Sequence, residues 1–394
     1  MEIIEYDAQH RQFRRRLRTF IEKEVAPFAD QWEKEHIVPK SVWRKMIIDE
    51  CVPMLQTGKM GKEGFLCPCV SETYGGAGGD FRYALIVAEE MSRTRQTGLF
   101  TTLHSDVVVP YIDAYASVEQ KTKYLPGCVS GDIITAVAMT EPGAGSDLAG
   151  MQTTAEEQGD EVVINGSKTF ISNGINADLV IVAAKDPDVK SSHQAISLYL
   201  VESQTPGFKR GRQLEKMGWH SQDTAELFFS NCRIHKGNRL GEKGAGFLMM
   251  MEKLQQERLC AVFGAIPMAE RILEWTFDHL RQPVANGKSL PKSQVVQFAL
   301  VEMTTEVKLG RTFMEKLVAD HIEGKNIVVE TSMAKYWTTE MVNRVADRCL
   351  ELLGNYGTLE RCPVVRAKRD VRVLPIFAGT NEIMKSIAAK FMGL

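Results

Sequence analysis

The chain has 394 residues, is 44% hydrophobic, and sets 48 Lys and Arg against 50 Asp and Glu, for a formal net charge of −2. A chain of that length buries a large core without covalent staples, and balanced charge gives no net field that favours nucleic acid or an anionic membrane. Of the eight cysteines, the one close pair, Cys67 and Cys69, lacks the spacing or neighbouring histidines of a zinc site, so the sequence predicts reduced thiols and no metal.

Residues 1–20 hold no apolar core of signal-peptide length, and no apolar run is long enough to span a membrane. This predicts a soluble protein, cytoplasmic in a bacterial-type chain or in the mitochondrial matrix as a mature eukaryotic form. Arginines 14, 15, 16 and 18 interleave with Phe13, Leu17, Phe20, Ile21, Val25 and Phe28 at helical spacing, which reads as a helix with a solvated basic face. Up to about residue 130 the spacing stays helical, as in YALIVAEEMSRT, punctuated by YGGAGGD. From 131 to 240 it changes to short β-rich runs: EVVINGSKTFISNG, DLVIVAAKD, AISLYLVES and TAELFFSNCRI. After RLGEKGAGF the helical period returns, with a long stretch from Ser293 to Gly324 suited to a bundle. The predicted fold class is therefore mainly α with a small β domain: an N-terminal helical domain over 1–130, a middle antiparallel β domain over 131–240, and a C-terminal helical bundle over 241–394. The stretch 47–60, IIDECVPMLQTGKM, contains Pro53 and Gly58 and follows a helix end, which predicts a surface excursion without chemistry.

Two stretches carry chemical information of their own. AVAMTEPGAGSDLAG, residues 136–150, sets Thr140, Ser146 and a Gly-rich backbone in a tight loop whose hydroxyl and N–H donors can approach a polar ring edge or phosphate. Any surface turn uses the same residue types, so alone the loop is modest evidence. On a helix through MMMEKLQQERLCAVFGA, Met250, Leu254, Glu257, Ala261 and Ala265 share one stripe, so a carboxylate faces inward among apolar and small residues. Burial raises such a carboxyl's pKa toward the range a general base needs; a structural carboxylate paired with arginine remains the commoner use of that pattern.

In order along the chain, AMTEPGAGSD, NGSKTFISNG, QDTAELFF, LGEKGAGF, QQERL and GTNEIMK resemble the acyl-CoA dehydrogenase family, most closely its long-chain branch. The resemblance spans essentially the whole chain. It implies an FAD flavoprotein that oxidises an acyl-CoA thioester by α-proton abstraction and β-hydride transfer to flavin N5. It also implies electron-transferring flavoprotein as acceptor and a homotetramer whose subunits share FAD sites. Carried over by position, it implies cofactor contacts from Val137, Met139, Thr140, Ser146, Phe170, Ser172, Gln294, Thr380 and Glu382, and substrate contacts from Ser146, Gln255, Arg258 and Gly379.

In IFAGTNEIM, residues 376–384, Ala378 stands where many family members carry a catalytic glutamate. Long-chain and isovaleryl-type members combine a small residue there with a glutamate before arginine on the inner helix; here those are Ala378 and the pair Glu257–Arg258. The resemblance thus makes Glu257 the base and leaves Ala378 its backbone N–H as a donor to the thioester oxygen. Three departures stand beside it. QPVANGKS places Pro283 and Asn286 where an FAD-holding Arg and Phe are usual, with Arg281 two residues away; LELLGNYG carries Glu351 and Asn355; and 47–60 interrupts a family segment. The acyl group expected is medium-to-long chain. Alternatives are a short- or branched-chain dehydrogenase, an acyl-CoA oxidase using oxygen, and a non-catalytic family member.

Overall fold

The computed structural model describes residues 3–46, 64–282 and 293–394. The 47–60 stretch, Pro283 and Asn286 lie outside the described residues.

Helix α1 (Ala8–Phe20) starts where the Asp7 carboxylate accepts the His10 N–H at 2.9 Å, and it continues through a π-helical turn, Ile21–Val25. Phe13, Leu17, Ile21 and Val25 are buried on one stripe, while Phe28 emerges exposed. The basic face is less solvated than its sequence suggests. Arg14 and Arg18 reach Glu90 at 3.3 and 2.8 Å, because the next long helix of this half, α4 (Arg82–Ser92), packs beside α1. Between them lie α2 (Ala29–Glu35) and α3 (Lys40–Lys45). A π-helical segment, Leu103–Val108, leads into α5 (Val109–Tyr115). Helix α6 (Val118–Ser130) opens on a reciprocal cap between Ser117 and Gln120, which satisfies two otherwise orphaned N–H groups.

The strands are β1 (Thr135–Ala138), β2 (Thr154–Gln158), β3 (Glu161–Ile171), β4 (Leu179–Lys185), β5 (Ile196–Glu202), β6 (Phe208–Gln213), β7 (Ala225–His235) and β8 (Arg239–Leu240). Their order is β6-β7-β3-β2-β4-β5-β8, with β1 added beside β4. The sheet is mostly antiparallel, but β1 pairs with β4 in parallel from Thr135↔Leu179 to Ala138↔Val182, and β2 meets β4 in parallel at Thr154↔Lys185. Along β4, Leu179, Ile181 and Ala183 join a core shared with the N-terminal helices, and Val180, Val182 and Ala184 join a second core on the other face. Burial on both faces explains why this strand reads as an unbroken apolar run.

A third core holds α7 (Gly246–Leu280), α8 (Gln294–Ile322), α9 (Val328–Leu353) and α10 (Pro363–Val371), and α11 (Asn381–Phe391) packs on α9. Helix α7 packs along α9 and also contacts α4, so it runs between the two helical halves. On α8, Val295, Phe298, Val301 and Leu309 remain exposed. No helix among the described residues is long and apolar enough to cross a membrane.

Candidate active site

Glu257 sits on the buried stripe of α7 with Met250, Ala261 and Ala265, and is 8% exposed. The Tyr111 hydroxyl, from α5, donates to its Oε1 at 2.7 Å. Burial pushes the Glu257 carboxyl up to about 7, with the Tyr111 hydrogen bond and the Arg258 and Lys253 charges pulling the other way. Such a group changes protonation in the range where a general base works. Removing the Tyr111 donor takes away one hydrogen bond to the carboxylate form. Tyr111→Phe is therefore expected to raise the pH midpoint of a Glu257-dependent step by about one pH unit, with a lower rate at neutral pH. A pH profile of single-turnover flavin reduction checks this, and an unmoved midpoint refutes it.

Ala378 and Gly379 lie in a turn where both residues are left-handed, with φ of 52° and 89°. The turn is closed by the Asn381 N–H on the Pro375 carbonyl at 3.0 Å, and Thr380 caps α11 by accepting the Ile383 N–H at 3.3 Å. Among the described residues the Ala378 N–H donates to nothing, so a half-buried donor is left for a ligand oxygen. Phe377, beside it, meets Trp219 edge-on at 5.7 Å, and Trp219 meets Phe100 in the same way at 4.8 Å. The loop that carries Trp219 is fixed from two sides. Asp370 accepts the Trp219 N–H at 2.6 Å, and Gln222 donates to Asn173 at 2.8 Å while Asn173 donates to the Thr135 carbonyl at 3.1 Å. These contacts link the C-terminal turn to the start of β1 and the end of β3.

At the far end of β1, Val137 is half-buried on the strand and Met139 and Thr140 follow it. The Lys168 ammonium, fully buried, donates to the Met139 carbonyl at 3.1 Å and to Glu141 at 2.8 Å. The Thr140 carbonyl accepts from the Thr169 N–H at 2.9 Å, whereas the Thr140 N–H and hydroxyl make no bond among the described residues. Phe170 is 67% exposed with φ of 57°, at a break in the β3–β7 register. A core role for this aromatic ring is thereby excluded. An exposed ring beside unspent donors suits a flat heteroaromatic ligand. Ser172 is half-buried two residues on, and Ser146 is exposed on its loop.

The remaining sequence-derived positions are less concentrated. Arg258 is buried next to Glu257, and its Nε has no partner among the described residues. Gln255 turns away to the α8–α9 connection, where its amide accepts the Ile327 N–H at 3.0 Å and donates to the Lys325 carbonyl at 3.5 Å. Gln294 is exposed in the first turn of α8, beside exposed Val295, and Glu382 is exposed in the first turn of α11. Arg281 lies over the Phe277 ring at 5.5 Å, and Glu351 and Asn355 are exposed. The described cysteines are unpaired, and no group of metal ligands is found among the described residues. Sequence reasoning missed Tyr111, Lys168 and Trp219.

Models of the acyl-CoA dehydrogenase N-terminal, middle and C-terminal domains match residues 7–132, 136–232 and 244–393. The chain belongs to the acyl-CoA dehydrogenase family. It is 40% identical to the mitochondrial long-chain specific acyl-CoA dehydrogenase of Rattus norvegicus, over 98% of this chain and 86% of that protein. It is 33% identical to the short-chain specific enzyme of the same organism, over 98% and 90%. An acyl-CoA dehydrogenase crystal structure from Geobacillus kaustophilus matches 99% of each chain at 49% identity and a TM-score of 0.92. Acyl-CoA dehydrogenases are FAD flavoproteins and oxidoreductases acting on CH–CH groups. Thr140, Phe170 and Ser172 suit the flavin ring in residue type and exposure.

Proposed function

We propose that this protein dehydrogenates medium-to-long straight-chain acyl-CoA thioesters between Cα and Cβ. Glu257 removes the α-proton, and the Ala378 N–H stabilises the oxygen of the developing enolate. The observation that carries this reading is a pairing: a buried carboxyl whose pKa lies near neutrality, and an unspent N–H in the left-handed turn where the alternative carboxylate is absent. A preorganised donor of this kind contributes on the order of 3 kcal/mol in the transition state, and a positioned base ~10²–10⁴-fold in rate. Phe170, Thr140, Ser172 and Met139 would hold FAD, which when bound would supply the two-electron acceptor for the hydride lost from Cβ. Val137, Ser146, Gln294, Thr380 and Glu382 complete the proposed cofactor contacts. Ser146, Arg258 and Gly379 are the proposed substrate contacts, with the Arg258 cation orienting the CoA moiety, while Gln255 is spent on the α8–α9 connection.

The three-part division at 130 and 240, electron-transferring flavoprotein as acceptor and a homotetramer belong to the same proposal. The exposed apolar row Val295, Phe298, Val301 and Leu309 supports an interface between copies along α8. Anaerobic titration of the FAD-loaded protein tests the substrate. Bleaching by octanoyl- and palmitoyl-CoA is expected, and bleaching by isovaleryl- or isobutyryl-CoA alone refutes the straight-chain assignment.

A further inference from the structure

Lys335, on α9, is fully buried, although a lysine is among the residues least often found without surface. It has no carboxylate within salt-bridge distance among the described residues; its ammonium is spent on the C-terminal turn instead. Nζ donates to the Gly379 carbonyl at 2.6 Å and to the Asn381 side-chain oxygen at 3.1 Å. Thr339, one turn along α9, donates to the same Asn381 oxygen at 3.2 Å, and the Asn381 amide returns to the Tyr336 carbonyl at 3.2 Å. Three residues of α9 therefore grip both ends of the 379–381 segment. Within it, Gly379 has φ of 89°, and an added Cβ would meet Met384 Cε at 2.6 Å. Ala378, at φ of 52°, adopts a conformation that L-residues other than Gly, Asn and Asp seldom take, so the surroundings must hold it. Burial pushes the Lys335 ammonium down to about 7, the Glu382 charge pulls it up and the Arg258 charge adds to the lowering, so the group is a full cation only below neutrality. Arg258 follows Glu257 on α7, so Lys335 lies near the part of α7 that carries the proposed base.

A buried ammonium is costly unless its charge is used. Resting on the reading of Ala378 as the enolate donor, we propose that Lys335 is a positioning residue for the reaction. Its hydrogen bond to the Gly379 carbonyl holds the left-handed pair so that the Ala378 N–H faces the thioester oxygen, and its positive charge stands behind the oxygen on which the enolate charge accumulates. Lys335 touches neither substrate nor flavin; it acts through the peptide backbone of the turn.

A 3-thiaacyl-CoA separates this role from a structural one. It can lose its α-proton, but sulfur at the β position has no hydride to give, so the bound thioester stops at the enolate and is read by its long-wavelength absorbance against oxidised flavin. The experiment uses FAD-loaded parent and Lys335→Met proteins at a single fixed pH below neutrality, where Lys335 carries its proton. The expected result is a Kd for the un-ionised analogue, corrected for the enolate fraction, within about threefold of parent, an enolate-to-thioester ratio lower by about tenfold or more, and bleaching by palmitoyl-CoA slowed to a similar degree. Lys335→Gln keeps a donor of shorter reach without charge. It is expected to give an intermediate ratio, and it decides the matter if the Met variant fails to fold or to hold FAD. A parental enolate ratio in either folded variant overturns the proposal. So does a Kd that, after correction for the enolate fraction, weakens as much as the ratio falls, since that marks loss of the pocket and not of the oxygen's stabilisation. A parent that binds the analogue and never ionises it overturns the proposed function together with this inference.

Discussion

Glu257→Gln is expected to slow single-turnover flavin bleaching by a saturating acyl-CoA by roughly 10²-fold or more, while FAD content and thioester binding stay near parental. Glutamine keeps the shape of the carboxylate and can still accept from the Tyr111 hydroxyl, so the 2.7 Å contact and the α7 packing around it survive. What it loses is proton affinity at an inward-facing position that is 8% exposed. The single-turnover format matters because it reports the chemical step without a partner protein. Bleaching at the parental rate in Glu257→Gln means that the carboxylate is structural. Adding Ala378→Glu to the Gln variant offers a second carboxylate from the opposite wall. Recovery there is expected to be partial, because a long side chain must adopt the φ of 52° that Ala378 holds.

The largest expected loss of stability lies at Lys168. Its ammonium and the Glu141 carboxylate, 2.8 Å apart, have side chains 0% and 5% exposed. Glu141 also accepts the Gln152 and Thr153 N–H groups at 2.6 and 3.0 Å, so the carboxylate organises the turn that follows β1. Lys168→Met leaves that charge buried without its counter-ion, and breaking such a pair costs about 3–5 kcal/mol. Because Lys168 also holds the Met139 carbonyl, FAD should dissociate more readily from the folded variant. Chemical denaturation of the FAD-loaded protein measures the first effect and flavin release on dilution the second. Pairing Lys168→Met with Glu141→Gln should recover part of the stability, since the second change removes the stranded charge. A Lys168→Met protein as stable as the parent contradicts this account.

Much of the fold was legible because single elements carry clear periods. The 29-residue α8, Gln294–Ile322, falls inside the stretch read as a helix from 293 to 324, and β3, β4, β5 and β7 each coincide with a run read as β, rich in branched aliphatic or aromatic residues. Strands β1, β2, β6 and β8 were not legible. Thr154–Gln158 is TAEEQ and Phe208–Gln213 is FKRGRQ, segments with little apolar alternation that are strands because a partner strand supplies their hydrogen bonds. The parallel pairing of β1 with β4 depends on segments more than 40 residues apart, which no local pattern encodes.

At the candidate site the same division holds. The inward stripe of α7 pointed to Glu257, but its hydroxyl partner Tyr111 is 146 residues earlier in the chain. Lys168 hides in a strand, where a period of two says little about a cation at the buried end of the run. Lys335 differs. On α9 it shares a buried face with Thr331, Ala334, Thr338 and Val342, and the stripe argument that drew out Glu257 applies to it equally. It escaped attention because lysine is taken as a surface residue by default. Phe170 shows the opposite limit: its strand position allows a core ring equally well, only the SNG that follows tilts against one, and the ring stands 67% exposed.

The left-handed turn at Ala378 and Gly379 bears on how the reaction tolerates thermal motion. A base must meet a carbon at one distance and angle, and Glu257 lies about three turns before Pro267 in a 35-residue helix, where the turns around it are held by packing on both helical halves. A hydrogen-bond donor to an oxygen accepts a broader range of directions, which a short turn can supply even while it breathes. In the proposed arrangement the directional task therefore rests on α7 and the forgiving task on the turn. Warming should loosen the donor's grip on the thioester oxygen before it disturbs the aim of the carboxylate.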